Sequence, residues 1–257
     1  MERRPRPIGP SEPTDPWPPT VRLLAAIALF LFYSFVIGLA SVAAGILDRS
    51  GRWARRVAQV WGRAVLHGFG VRVEVFGAEN LPHGPAVFAA NHTSALDIPL
   101  VFGWLPADFR IVHKRSLYAI PIAGWFLYFG GHIPIERSRA FRARRSLSLA
   151  AERIRKGTSV VVFPEGTRNP SGDLGAFKKG SFVLARESGV PIVPVSLAGV
   201  ADLAGRGLLR ARAGRVRVTV HAPIPTVGVD DAHLDDLVEA VRSAIRHGCR
   251  AGGSATS

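Results

Sequence analysis

The chain has 257 residues, 33 Lys and Arg against 19 Asp and Glu, a net charge of +14 and 47% apolar residues. That length suits one medium α/β domain or a domain plus an appendage, and the charge points to an anionic partner: a membrane surface, a phosphorylated substrate or nucleic acid. The single cysteine, Cys249, excludes an intrachain disulfide and a cysteine-based zinc site, and suits a reducing compartment.

Residues 1–20 are proline-rich and polar without periodicity, and read as a disordered tail. Leu23 to Leu47 follows, "LLAAIALFLFYSFVIGLASVAAGIL", with no charge. As a helix it is long enough to cross a hydrocarbon core of about 30 Å, so a membrane span or re-entrant helix is expected, with an interfacial or buried core helix as alternatives. The run is too long for a signal-peptide core and has no clear cleavage site, which keeps it in the mature protein. Next come Arg52, Arg55, Arg56 and Arg63 with Trp53 and Trp61 at helical spacing. That pattern suits a helix lying among lipid headgroups, or an amphipathic helix packed on the domain. Residues 21–70 are therefore expected to be membrane-associating helices. More basic residues follow the apolar run than flank its start, which predicts the main domain on the cytoplasmic face of the plasma (inner) membrane.

From Val71 the texture changes. "VRVEVFG" alternates like a strand, "PAVFAAN" is apolar, and "SVVVFP" is a β-branched run of the kind buried on both faces of a sheet. "PIVPVSLAG" and "RVRVTV" are further strand candidates. Helical patterns lie near Leu96–Trp104, Pro121–Phe129 and Phe141–Lys156, and "DDAHLDDLVEAVRSAIRHG" reads as a capped amphipathic helix. Strands alternating with helices predict an α/β domain over residues 71–248, with a mixed, mostly parallel central sheet flanked by helices. Residues 249–257 read as a second disordered tail. No helix-turn-helix, zinc finger or RNP-type motif is present, so the basic charge is not assigned to nucleic acid.

Chemistry concentrates at strand ends. "NHTSALD" follows the apolar "PAVFAA" and sets His92 five residues before Asp97. A histidine serves as a general base near neutrality, and a carboxylate can fix its tautomer and stabilise its cation. Five residues along one helix turn the side chains about 140° apart. The workable arrangement therefore puts His92 in the turn and Asp97 in the following helix. Taken alone, such a His–Asp pair is more often structural than catalytic. "FPEGTRN" follows the buried "SVVV" and carries Glu165, Gly166, Thr167 and Arg168, where glycine permits close backbone approach and arginine offers a phosphate-matching fork. "GHIPIER" supplies Arg137, and "VPIVPV" reads as structural.

These four blocks, in this order, resemble the glycerolipid acyltransferases, specifically the bacterial 1-acylglycerol-3-phosphate acyltransferases, over about Val71 to Ala222. Asn169 stands where the pattern usually has serine, and Glu136 where aspartate is frequent. The resemblance implies acyl transfer from acyl-CoA or acyl-carrier protein to the sn-2 hydroxyl of lysophosphatidate, giving phosphatidate. In that scheme His92 is the general base, Asp97 orients it, and the oxygen attacks the thioester carbonyl directly. The rival is an acyl-enzyme on Ser94 or Thr93, which no G-x-S-x-G elbow supports. The resemblance also implies that Arg168, Arg137 and Lys114 hold the acceptor phosphate, with Gly166 and Thr167 supporting the loop. Glu165 either orients Arg168 or orders the loop by accepting backbone hydrogen bonds. Lys178 and Lys179 hold donor phosphates, face anionic lipid or are solvated. The run "ERSRAFRARR" is a basic face that can attract an anionic leaflet. No metal or cofactor is implied. A sister enzyme with another lyso-lipid, glycerol-3-phosphate or a glycolipid as acceptor shares the same blocks.

Overall fold

The computed structural model describes residues 18–47, 52–136, 140–169, 171–204 and 211–253. Its centre is a sheet of β1 (Val71–Phe76), β2 (Val87–Ala90), β3 (Phe109–Lys114), β4 (Ile133–Ile135), β5 (Ser159–Val162), β6 (Ile192–Ala198) and β7 (Gly214–Val220). The order across the sheet is β1-β7-β6-β2-β5-β3-β4. The five strands from β6 to β4 run parallel to one another. β7 is antiparallel to β6 and parallel to β1. The mostly parallel α/β architecture expected from the alternating texture is the one observed.

Strand alternation sorts side chains onto two cores. Phe88, Ala90 and Val161 face one layer, formed by α1 (Pro19–Leu47), α2 (Arg52–Gly68) and α3 (Asp97–Trp104), with Phe126 of α4 (Ala123–Phe129) packed against it. Val87, Ala89, Val160 and Val162 face the other, formed by α5 (Ala140–Arg155), α6 (Gly180–Ser188) and α8 (Leu234–Gly253). Fully burying a side chain such as Phe88 contributes about 1.5–3 kcal/mol. A short α7 (Val200–Ala204) follows β6.

α2 and α3 cross at two glycines. A methyl group on Gly62 would collide with the Pro99 carbonyl and the Gly103 backbone. Arg63 Nε also donates to the Gly103 carbonyl at 3.0 Å, satisfying one of the orphan acceptors at the end of α3.

The expected boundaries need correction. Pro19 and Thr20 belong to α1, and residues 1–17 lie outside the described residues. α8 starts at Leu234 and runs through Cys249 to Gly253, because its apolar stripe Leu237, Val241 and Ile245 keeps packing on the sheet; only residues 254–257 of the expected tail lie outside the described residues. Leu23–Leu47, expected as a span or re-entrant helix, forms one continuous helix within α1; among the described residues no membrane span is identified. α1 packs along α2 and α4, with Ile37 buried in the core and Gly38 seated against Ile122. Leu24, Leu31, Phe32, Phe35 and Leu39 of α1 stay exposed.

Candidate active site

The loops that carry the motifs all leave the same edge of the sheet, the carboxyl ends of the parallel strands, where α/β folds place ligands. Asn91 follows β2 directly and is buried. Its Oδ1 accepts the Leu197 N–H at 2.8 Å and its Nδ2 donates to the Leu197 carbonyl at 3.0 Å. The side chain thereby continues the β2–β6 ladder past the last paired residue, Ala90. The backbone of His92 is fixed on this support.

His92 lies in the turn and Asp97 opens α3, as the five-residue spacing requires. His92 Nδ1 and Asp97 Oδ2 are 2.8 Å apart. The same oxygen accepts the N–H groups of Thr93 at 2.7 Å and Ser94 at 2.8 Å. An oxygen already taking two backbone donors is an acceptor, so Nδ1 carries the proton and Nε2 of the neutral ring keeps its lone pair. Asp97 is wholly buried, while the His92 side chain retains 13% of its exposure. Phe163 stacks on the imidazole with centroids 4.2 Å apart. A histidine held this way can take a proton at its outer nitrogen.

The second loop is clamped to the first. Ala89 pairs with Val162, so His92 and Glu165, three residues on in each strand, arrive at the same height. Glu165 Oε1 accepts the His92 N–H at 2.8 Å, and Oε2 accepts the Gly175 N–H at 3.0 Å. Asn169 N–H donates to the His92 carbonyl at 2.8 Å. Of the two readings for Glu165, the geometry gives the loop-ordering one: its hydrogen bonds go to backbone, not to Arg168. Burial raises its pKa above the usual carboxylate value, opposed by the two N–H bonds.

Gly166 sits at φ +74°, a conformation that favours glycine, and a methyl there would meet the Lys178 side chain at 2.8 Å. Thr167 and Arg168 are exposed beside it. Lys114, the last residue of β3, is exposed at the same edge. Among the described residues Lys114, Arg168 and Lys178 form no ion pair, whereas Lys179 is paired with Asp235 at 2.7 Å. Arg137 lies outside the described residues.

The acyltransferase family pattern matches residues 72–198. A 1-acyl-sn-glycerol-3-phosphate acyltransferase of Chlamydomonas reinhardtii is 32% identical over 95% of this chain and 83% of its own. The chain belongs to the 1-acyl-sn-glycerol-3-phosphate acyltransferase family. It is accordingly an O-acyltransferase. The crystal structure of the 1-acyl-sn-glycerophosphate acyltransferase from Thermotoga maritima superposes with a TM-score of 0.77 at 28% identity, covering 90% of this chain and 94% of that one. A chloroplastic 1-acyl-sn-glycerol-3-phosphate acyltransferase of Arabidopsis thaliana is 37% identical over 65% of this chain, and the match spans 48% of that relative.

In this acyltransferase the side chains that could compete as nucleophiles are withdrawn from the surface: Thr93 is buried, its Oγ1 without a hydrogen-bond partner among the described residues. Ser94 is buried and its Oγ donates to the Ala204 carbonyl at 3.1 Å. Cys249, expected in a tail, lies in α8 with its thiol pushed up to about 11, chiefly by burial and also by the charges of Glu165 and Asp97. His132, inside the second motif block, is structural. It is buried, its Nδ1 accepts the Ile111 N–H at 3.0 Å, and burial with nearby Arg110 holds its pKa down at about 3. Sequence reasoning passed over Asn91, Phe163 and Asn169. Their partners at Leu197 and His92 lie on other strands or loops, and only their place beside the motif residues could have marked them.

Proposed function

We propose that this acyltransferase moves an acyl group from acyl-CoA or acyl-carrier protein to the sn-2 hydroxyl of lysophosphatidate, giving phosphatidate. The observation that carries this reading is the 2.8 Å hydrogen bond from His92 Nδ1 to the buried, backbone-anchored Asp97 carboxylate at the loop edge of the sheet. Nε2 of His92 takes the acceptor hydroxyl proton as the oxygen attacks the thioester carbonyl. Asp97 holds the tautomer and stabilises the imidazolium. The thiolate then leaves from the tetrahedral intermediate. Engagement of Ser94 Oγ by Ala204 supports direct transfer over an acyl-enzyme. The names of the relatives support lysophosphatidate as the acceptor.

Arg168, Lys114 and Arg137 hold the acceptor phosphate, the arginines through two-pronged hydrogen bonds and the lysine as a point charge. Glu165, Gly166 and Thr167 shape the loop that presents Arg168. The reaction uses no metal or cofactor. The exposed apolar side of α1, with Leu24, Leu31, Phe32 and Phe35, supports association with a bilayer. The side of the membrane rests on the flanking charges alone and is the cytoplasmic one by that argument.

The test is acyl transfer by the detergent-purified chain with oleoyl-CoA and lysophosphatidate, with lysophosphatidylcholine and glycerol-3-phosphate in parallel. We expect phosphatidate from the wild type and a loss of about 10²–10⁴ in kcat for His92→Ala, the usual contribution of a general base. Full activity in His92→Ala would overturn the mechanism. Activity only on another acceptor would overturn the substrate.

A further inference from the structure

One basic stretch is not absorbed by the chemistry above, and its position relative to the sheet says what it faces. α5 connects β4 to β5, two parallel strands, so it starts at the active-site edge and runs back toward the other. Its level along the sheet is fixed by one bond. The N–H of Glu136, the residue after β4, donates to Ser146 Oγ at 3.2 Å. Ile135 before it pairs with Lys114, so Ser146 stands level with the strand ends. The six residues from Ala140 to Arg145 therefore overhang the active-site edge, by about 9 Å at the helical rise.

What overhangs is basic and apolar together. Phe141 is 80% exposed, and Arg142, Arg144 and Arg145 are exposed around it. None of these arginines forms an ion pair among the described residues, and the first carboxylate of the helix is Glu152, already paired with Lys156. Across the same edge, just after β3, Arg115, Leu117 and Ile120 are exposed as well.

We propose that the overhanging turns of α5 form a foot that seats the catalytic edge on an anionic phospholipid bilayer, with Phe141 entering the headgroup boundary and the three arginines meeting lipid phosphates. The bilayer fits better than an acidic protein. An arginine cluster around a bare phenylalanine suits the water–lipid boundary, where the ring is buried and the guanidinium groups stay wet. The foot also lies on the layer opposite α1, so the active-site edge is flanked by basic and apolar side chains on both sides. The placement rests on the reading that the acceptor is a lipid drawn from that bilayer.

The test uses the full chain carrying Phe141→Cys in a Cys249→Ser background, labelled with an environment-sensitive fluorophore. It is mixed with vesicles of phosphatidylcholine alone, or of phosphatidylcholine and phosphatidylglycerol in equal parts. We expect a blue shift and quenching by lipid-borne quenchers on the anionic vesicles only. Arg142→Ala, Arg144→Ala and Arg145→Ala together should abolish the shift and weaken anionic-vesicle binding by up to about a hundredfold, about fivefold per charge. The same triple variant should lose acyl transfer from vesicle-borne lysophosphatidate yet match the wild type on detergent-dispersed substrate. A probe that stays in water while the protein is vesicle-bound overturns the foot. So does a probe shifted by an acidic carrier protein but not by vesicles, which would assign the face to the donor. Absence of acyl transfer on every acceptor with the probe still entering the bilayer would sink the acyl-transfer reading and leave the foot standing.

Discussion

Replacing Asn91 by alanine tests whether the strand-end amide is what holds His92, the proposed base, in place. The side chain is buried and makes two hydrogen bonds to the backbone of Leu197, at 2.8 and 3.0 Å. Alanine removes both and leaves the Leu197 N–H buried without its partner. The lost bond to the Leu197 carbonyl costs about 1 kcal/mol net, and the Leu197 N–H left unsatisfied costs about 1–3 kcal/mol. The sum is roughly 2–4 kcal/mol of folding stability, or about 4–16 °C in Tm for a chain of this size. Because His92 is the next residue, its ring should lose its fixed approach, so kcat should fall while KM for lysophosphatidate stays close to the wild-type value. Asn91→Asp sharpens the test: it can still accept the N–H but sets an anion against the Leu197 carbonyl, and should recover neither stability nor rate. Urea unfolding and steady-state kinetics on the purified variants give both readouts. Wild-type stability with wild-type kcat in Asn91→Ala would refute the reasoning.

Three further outcomes follow from the same geometry. Glu165→Gln should destabilise the loop by about 1–3 kcal/mol: the amide keeps one acceptor oxygen, so either the His92 or the Gly175 N–H loses its partner and faces an NH2 donor, while the burial that raises the Glu165 pKa no longer penalises a charge. Limited proteolysis after Phe163 should accelerate with it. Arg168→Ala should raise the lysophosphatidate KM by about tenfold or more, the worth of a hydrogen bond to a charged group, and unchanged kinetics would remove Arg168 from the phosphate site. The folded-state pKa of His132 is depressed from 6.5 to about 3, so its contribution to stability is present above the unfolded value and is lost as pH falls from 6.5 toward 3. His132→Gln, which can still accept the Ile111 N–H, should flatten the stability–pH slope in that window by up to about 1.4 kcal/mol per pH unit, measured by urea unfolding.

Much of the fold was legible because burial on both faces leaves a mark. β5 and β6 are continuous apolar runs, and the helices α3, α4 and α5 fall within two residues of their sequence-based bounds. β3 was harder. Its "FRIVHK" mixes Arg110, His113 and Lys114 into an apolar strand, since it lies next to the edge and its ends reach the two rims of the sheet. The His92–Asp97 pair was legible because its partners are five residues apart. The clamps on that pair were not, because Glu165 is 73 residues from His92 and Leu197 is 106 from Asn91. Such pairings are set by strand order, and no local period encodes them. The docking of α1 was not legible, because composition alone does not reveal that Ile37 is buried in the core and that Gly38 seats against Ile122.

The glycine crossing of α2 on α3 makes the N-terminal helices part of what positions Asp97. α3 begins with Asp97, and its far end is gripped by Gly62 and Arg63. Trp61, Val65 and Leu66 of α2 cover the same core. A chain trimmed to start at Val71 would be a sheet with one layer stripped, its Asp97 carboxylate on a helix with nothing to lean on. In evolutionary terms, these helices cannot be exchanged for others without rebuilding the partner that steadies Asp97.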